Sequence, residues 1–226
     1  MFKKKKFIAV ITAREKSKRL KNKNILKIKN KTLIERSYLE AKKSKFLDKI
    51  ILSTESKKII NIAKKFDLEV PYIRPKRLSK DSIGADKVIL HAAKKLKQDF
   101  DFIVLLQPTS PLRKFIDIDR CIKKIFEKKL TSITTIYKSK KINKFPIEVL
   151  KSGNIKKFNK QLNKRKFYYH LNGAIYITKI NDYLQKRKLI TKKTGYFIMP
   201  EKRSIDIDLK QDYLNAKKLI EKNDKK

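Results

Sequence analysis

Two aspartates, Asp206 and Asp208, stand two residues apart in the run SIDIDLKQDY. Read as a strand, that run puts both carboxylates on one face, about 7 Å apart along the chain. Carboxylates so placed repel each other unless a cation sits between them. A hard divalent ion such as Mg²⁺, held by one or two carboxylates plus phosphate oxygens, answers that repulsion. The alternative is a solvated edge strand with its acids turned to water. A second group follows the first apolar run: AREKSKRLKNKN offers Ala13, Arg14, Ser17, Lys18, Lys23 and Asn24, in which backbone N–H groups, a hydroxyl and several cations are equipment for a triphosphate. A third is LLQPTSPLR, where two prolines fix a turn around Gln107, Thr109, Ser110 and Arg113. Gln107 brings both a donor and an acceptor, which suits a base edge or a sugar hydroxyl.

Other chemistry finds no support. Neither G-x-x-x-x-G-K-S/T nor G-x-G-x-x-G occurs, so the two common phosphate fingerprints are absent. No His, Cys or carboxylate grouping has the spacing of a zinc site or a nucleophile triad. His91 reads as a packed core residue, whereas His170, just before LNGAIYIT, is a candidate for a site. Asp117 and Asp119 repeat the two-residue spacing but open a helix, where acids cap and complement the dipole.

The elements that must position these residues alternate between short β-rich runs and helical periods, the pattern of an α/β domain with a mainly parallel, Rossmann-like sheet covered on both faces. Strands are expected at Phe7 to Thr12, Ile50 to Thr54, Phe102 to Gln107, Ser132 to Tyr137, Ala174 to Thr178 and Ile205 to Asp208. Helical faces are expected at Ile34, Tyr38 and Ala41; at Ile59, Ala63 and Phe66; at Val88, Ala92 and Leu96; at Ile118, Ile122 and Phe126; and along Tyr213 to Ile220. In such sheets ligands bind at the carboxyl ends of strands, which is where the first loop and the Gln107 turn fall. The reading is one domain over residues 1–226. The polar, lysine-rich stretch of about 138–170 is an insertion or an arm, too poor in apolar residues to form a core alone.

The net charge of +40 would by itself suggest a nucleic-acid partner. Yet only 10 of the 62 basic residues are Arg, the preferred reader of bases and phosphates, and the 52 Lys are scattered along the chain. A solvated lysine surface with only weak, non-specific nucleic-acid binding is expected. The single Cys121 cannot form an internal bridge and reads as a small apolar helix residue, in keeping with a reducing, cytoplasmic setting. The opening MFKKKKFIAVITA carries the charge of a signal peptide, but its seven-residue apolar run ends at Arg14 without a cleavage pattern and reads as a first strand. No apolar stretch approaches the roughly 20 residues that a membrane-crossing helix needs.

Six segments in order, IAVITAREKSKRLKNKN, IILSTES, YIRPKRLSKDSIGADKVILHA, LLQPTSPLR, LNGAIYIT and SIDID, resemble the acylneuraminate cytidylyltransferases over almost the whole chain. The resemblance implies a nucleotidyltransferase that couples CTP to a sialic-acid-like 2-keto sugar acid of the N-acylneuraminate or legionaminate type, needs Mg²⁺ and releases pyrophosphate. It implies a homodimer whose arm reaches into the partner. It assigns Arg14, Lys23 and Asn24 to the nucleotide, with Ala13, Ser17, Lys18 and Ser82 around it. Gln107 and Asn172 go to the sugar, with Thr109, Ser110 and His170 as neighbours, and Asp206 with Asp208 to the metal; Arg14, Lys23, Gln107 and Asp208 are the expected catalytic set. Synthetases for pseudaminate or 3-deoxyoctulosonate are the nearest alternatives. This chain has Glu15 and Lys16 where the family usually has glycine, Glu55 for the usual aspartate, and His170 where an arginine is common.

Overall fold

Apolar β-branched runs with no polar face must be covered on both sides, and the chain builds its centre from them. In the computed structural model, which describes residues 1–96, 99–142, 146–157 and 166–223, β1 (Phe7–Thr12) is buried at five of its six positions and β5 (Phe102–Leu106) at all five. Between and beside them stand β4 (Lys49–Ser53), β6 (Ser132–Ser139), β9 (Tyr168–Lys179) and β10 (Gly195–Ile198), in the order β10-β6-β9-β5-β1-β4. β1 is parallel to β4 and β5, and β6 to β10; β9 runs antiparallel to both of its neighbours. The sheet is thus mainly parallel, as expected, with one reversed strand at its middle.

Alternate residues of the same strands serve two cores. Phe7, Ala9 and Ile11 face α1 (Leu33–Lys42), α2 (Lys57–Lys64) and α4 (Phe115–Glu127) through Ile34, Ala41, Ile59, Ala63, Ile118 and Ile122. Ile8, Val10, Ile103 and Leu105 face α3 (Ala85–Leu96) and α5 (Ile180–Lys186) through Ile89, Ala92, Ala93, Ile180 and Tyr183. Cys121 lies wholly buried on α4, where burial first and the Asp117 charge second push its thiol pKa up, so it is an inert core residue. α6 (Lys210–Asn223) packs Ala216 and Ile220 on Ile28, Leu33, Leu112 and Ile207. Ile28 belongs to a small hairpin of β2 (Lys27–Ile28) and β3 (Lys31–Thr32), and Leu33 follows it directly. Among the described residues, no helix is long and apolar enough to cross a membrane.

The lysine-rich stretch contributes structure that its composition did not announce. β7 (Pro146–Val149) pairs with β8 (Ile155–Lys157) and with the first half of β9, and Ile147 and Ile155 close a small cluster on Ile136. Residues 143–145 and 158–165 of that stretch, and 224–226 of the tail, lie outside the described residues.

Candidate active site

The carboxyl ends of β1 and β5 open into a cleft of about 650 Å³. At its edge the buried Ala13 is fixed through its backbone: its N–H donates to the Ser53 carbonyl at 3.1 Å and its carbonyl accepts Arg74 Nη2 at 2.8 Å. The chain then leaves β1, and Arg14 turns into the cleft with its guanidinium 2.6 Å from Asp81. Asn24, almost fully buried, donates from its side chain to the Arg14 carbonyl at 2.9 Å and so closes the first loop on itself. Asn22 makes that closure possible by taking φ +56°, a left-handed conformation that asparagine tolerates better than most residues. Ser17 lines the cleft with a buried hydroxyl that has no hydrogen-bond partner among the described residues. Lys18 is largely exposed and reaches Asp81 only at 3.7 Å. Ser82 is exposed beyond the cleft lining.

Asp206 and Asp208 both line this cleft, though not on a strand. The segment expected as a strand from Ile205 to Asp208 makes no ladder, because the N–H groups of Asp208 and Leu209 both donate to Asp212 Oδ2, at 2.9 and 2.8 Å, in opening α6. One bond ties it to its neighbour, from Ile207 N–H to the Thr109 carbonyl at 2.8 Å. Ile207 is wholly buried in the α6 core, and the aspartates on either side of it both line the cleft. Asp208 meets Lys23 Nζ at 3.0 Å and Arg19 Nη1 at 3.1 Å, with the Lys23 and Asp208 side chains mostly shielded from water. Among the described residues no three His, Cys, Asp or Glu side chains gather as a metal centre. The donor set present is two carboxylates, a hard oxygen pair that suits Mg²⁺ only if phosphate or water oxygens complete the sphere.

Gln107 and Thr109 line the cleft from the turn after β5. Gly173 allows Gln107 its position: with φ +71°, a Cβ there would lie 2.7 Å from Gln107 Oε1 and 3.6 Å from Asp206 Oδ2. Tyr176 also lines the cleft; burial above all, with the Asp206 and Asp86 charges, raises its pKa, so the phenol stays a neutral donor. The other residues expected at the sugar lie behind this surface. Ser110 is buried and donates to the Asn172 carbonyl at 3.3 Å. The Asn172 amide is occupied by Thr135 Oγ1 at 2.6 Å, Ala174 N–H at 3.1 Å and Ser204 Oγ at 3.0 Å, and it borders an adjoining hollow of about 510 Å³. His170 is wholly buried with Nε2 3.0 Å from the Lys141 carbonyl. Arg113 is a tie, not a ligand hand. Its guanidinium donates to the carbonyls of Gln107 (3.1 Å) and Ala174 (2.8 Å) and to Ser37 Oγ (2.7 Å). Burial, partly offset by Asp117 and Glu40, brings its pKa down to about 10, so it remains charged at neutral pH.

Sequence reasoning gave no role to Arg19, Arg74, Asp81 or Glu55. Glu55, just beyond β4, accepts from Arg74 Nη2 at 2.6 Å, Ser79 Oγ at 2.7 Å and the Glu15 N–H at 3.0 Å. Burial alone would raise its pKa, but the hydrogen bonds from Ser79, Glu15 and Arg74, with the Arg74 charge, outweigh it and hold the carboxyl below its ordinary value. The one local signal was the acid itself at a strand end.

A sequence profile described as Cytidylyltransferase matches residues 8–225. Curated relatives include the "Post-translational flagellin modification protein B" of Campylobacter coli, 31% identical over 96% of both chains. The "CMP-N,N'-diacetyllegionaminic acid synthase" of Legionella pneumophila is 30% identical over 96% of this chain and 97% of its own. The "N-acylneuraminate cytidylyltransferase" of Escherichia coli is 29% identical over 92% of this chain and half of its own. A solved structure described as a CMP:2-keto-3-deoxy-manno-octonic acid synthetase complexed with CTP superposes with a TM-score of 0.78 over 96% of this chain and 99% of that one. At 15% identity that last likeness speaks for the fold alone.

Proposed function

Because the chain belongs to the cytidylyltransferase family, a class of nucleotidyltransferases, we propose that its cleft transfers CMP from CTP to a sialic-acid-like 2-keto sugar acid of the N-acylneuraminate or legionaminate type, with release of pyrophosphate. The observation that carries this reading is the convergence of Arg14, Ser17, Arg19 and Lys23 with Asp206, Asp208 and Gln107 around one cleft at the carboxyl ends of β1 and β5. The anomeric hydroxyl of the sugar attacks the α-phosphorus, and the bond to pyrophosphate breaks. Such transfers depend on positioning and on neutralising charge where it develops. Arg14 and Lys23 exchange their present partners, Asp81 and Asp208, for phosphate oxygens, and the unpartnered Ser17 hydroxyl adds a hydrogen bond. Asp206 and Asp208 are the carboxylates that would hold a Mg²⁺ ion, which would supply positive charge to the leaving pyrophosphate. Gln107 orients the sugar from beside Asp206, in the space that Gly173 leaves. The chain works as a homodimer in this reading. Incubation with CTP, Mg²⁺ and a panel of nine-carbon and eight-carbon 2-keto sugar acids, followed by mass spectrometry, tests the acceptor. A CMP adduct of an N-acylneuraminate or legionaminate is expected; adducts of pseudaminate or 3-deoxyoctulosonate alone would reassign it.

A further inference from the structure

Glu55 stands just outside the cleft lining, and its contacts join two segments that line it. The Glu15 N–H it binds lies in the loop that carries Arg14 and Ser17. Ser79 closes the 3₁₀ turn Lys76–Ser79, which brings Leu78 to the opposite wall and leads on to Lys80 and Asp81. Arg74, only 3% exposed, joins both sides: Nη2 donates to Glu55 and to the Ala13 carbonyl, while Nε donates to Ser79 Oγ at 3.0 Å. The backbone repeats the tie, with Arg74 N–H on the Thr54 carbonyl at 2.8 Å and Ala13 N–H on the Ser53 carbonyl at 3.1 Å. A buried guanidinium with no carboxylate beside it would be costly, so the Glu55 charge is what allows Arg74 to sit there.

We infer that Glu55 is a positioning residue for the nucleotide: by holding Arg74, Ser79 and the Glu15 backbone together it fixes the distance between the loop that bears Arg14 and Ser17 and the 74–81 wall. It does not itself line the cleft, and it acts through the groups it holds. The inference rests on the nucleotide reading of this cleft. Its effect belongs mainly to CTP affinity, because the backbone that carries Asp206 and Asp208 is tied through Ile207 and α6, which Glu55 does not touch, and the first loop meets that side through Lys23 and Arg19 on Asp208.

Glu55→Gln keeps the length of the side chain and removes the charge, and Glu55→Asp keeps the charge and shortens the reach. CTP binding measured by calorimetry, together with KM and kcat, separates the possibilities. Loss of one charge-assisted contact set is expected to raise both Kd and KM for CTP about tenfold in Glu55→Gln, with kcat within about threefold of wild type. Glu55→Asp is expected to fall between the two. Should Glu55→Gln fail to fold, Ser79→Ala removes one donor and is expected to raise the CTP KM about threefold. A folded Glu55→Gln that binds CTP within about twofold of wild type, or a folded Ser79→Ala with an unchanged KM, overturns the inference alone. Wild-type protein that binds no CTP overturns the nucleotide reading and this inference with it.

Discussion

Asp208 is held by Lys23 and Arg19, so its carboxylate is already the focus of positive charge in the cleft before any substrate is considered. If it binds Mg²⁺ against the triphosphate, Asp208→Asn keeps the shape and removes the charge. Turnover at saturating CTP should then fall by at least about 10²-fold and demand more Mg²⁺, the size expected when one electrostatic element leaves a transition state. Near-normal turnover with an unaltered Mg²⁺ dependence would place the metal elsewhere. At this scale the sequence was legible in where it put the candidate side chains. Arg14, Lys23, Gln107, Asp206 and Asp208 all line the cleft that the strand ends implied. It gave no sign of burial where a polar residue lay inside an element. β9 buries both His170 and Asn172, with His170 Nε2 beside the Lys141 carbonyl and the Asn172 amide bonded to Thr135, Ala174 and Ser204. Arg74 and Asp81 gave no signal, since their value comes from partners far away in sequence, Glu55 and Arg14.

Elements hold the site through few but specific ties, of which Arg113 is the most connected. It joins the turn after β5 to β9 and to α1, binding two carbonyls and Ser37 from a position without solvent contact. Arg113→Met fills similar volume but leaves buried carbonyls without a donor. A loss of about 3 kcal/mol of stability is expected, read from the urea midpoint at constant slope. A change below about 1 kcal/mol would mean that the turn is held by its prolines. Strands with unbroken apolar runs were readable in advance because both faces are covered, and helices because their apolar periods face the sheet. β10 and β7 were not readable: each is four residues long and owes its state to pairing, β10 with β6 and β7 with β8 and β9. The Ile205 to Asp208 segment errs in the opposite direction, since alternation is present but Asp212 takes the donors a ladder would use.

At the scale of the whole molecule, a charge of +40 and membership of the cytidylyltransferase family are compatible because few of the cations are in the cleft. Of the 62 basic residues, four that line the cleft are paired with carboxylates, Arg14 with Asp81, Lys23 and Arg19 with Asp208, and Arg74 with Glu55 just outside the lining. Most of the lysines instead coat a fold whose two cores and sheet order are set by apolar residues. The central claim is that this cleft uses CTP as a donor of CMP. It is tested most directly by pyrophosphate release in the presence of Mg²⁺ and an N-acylneuraminate or legionaminate, with CTP, ATP and GTP compared at equal concentration. The account predicts release with CTP that depends on the sugar acid and exceeds the rates with ATP and GTP by at least about 10²-fold, the discrimination that buried polar groups left unpaired by a wrong base can supply. Equal rates with the three nucleotides, or release that ignores the sugar acid, would contradict it.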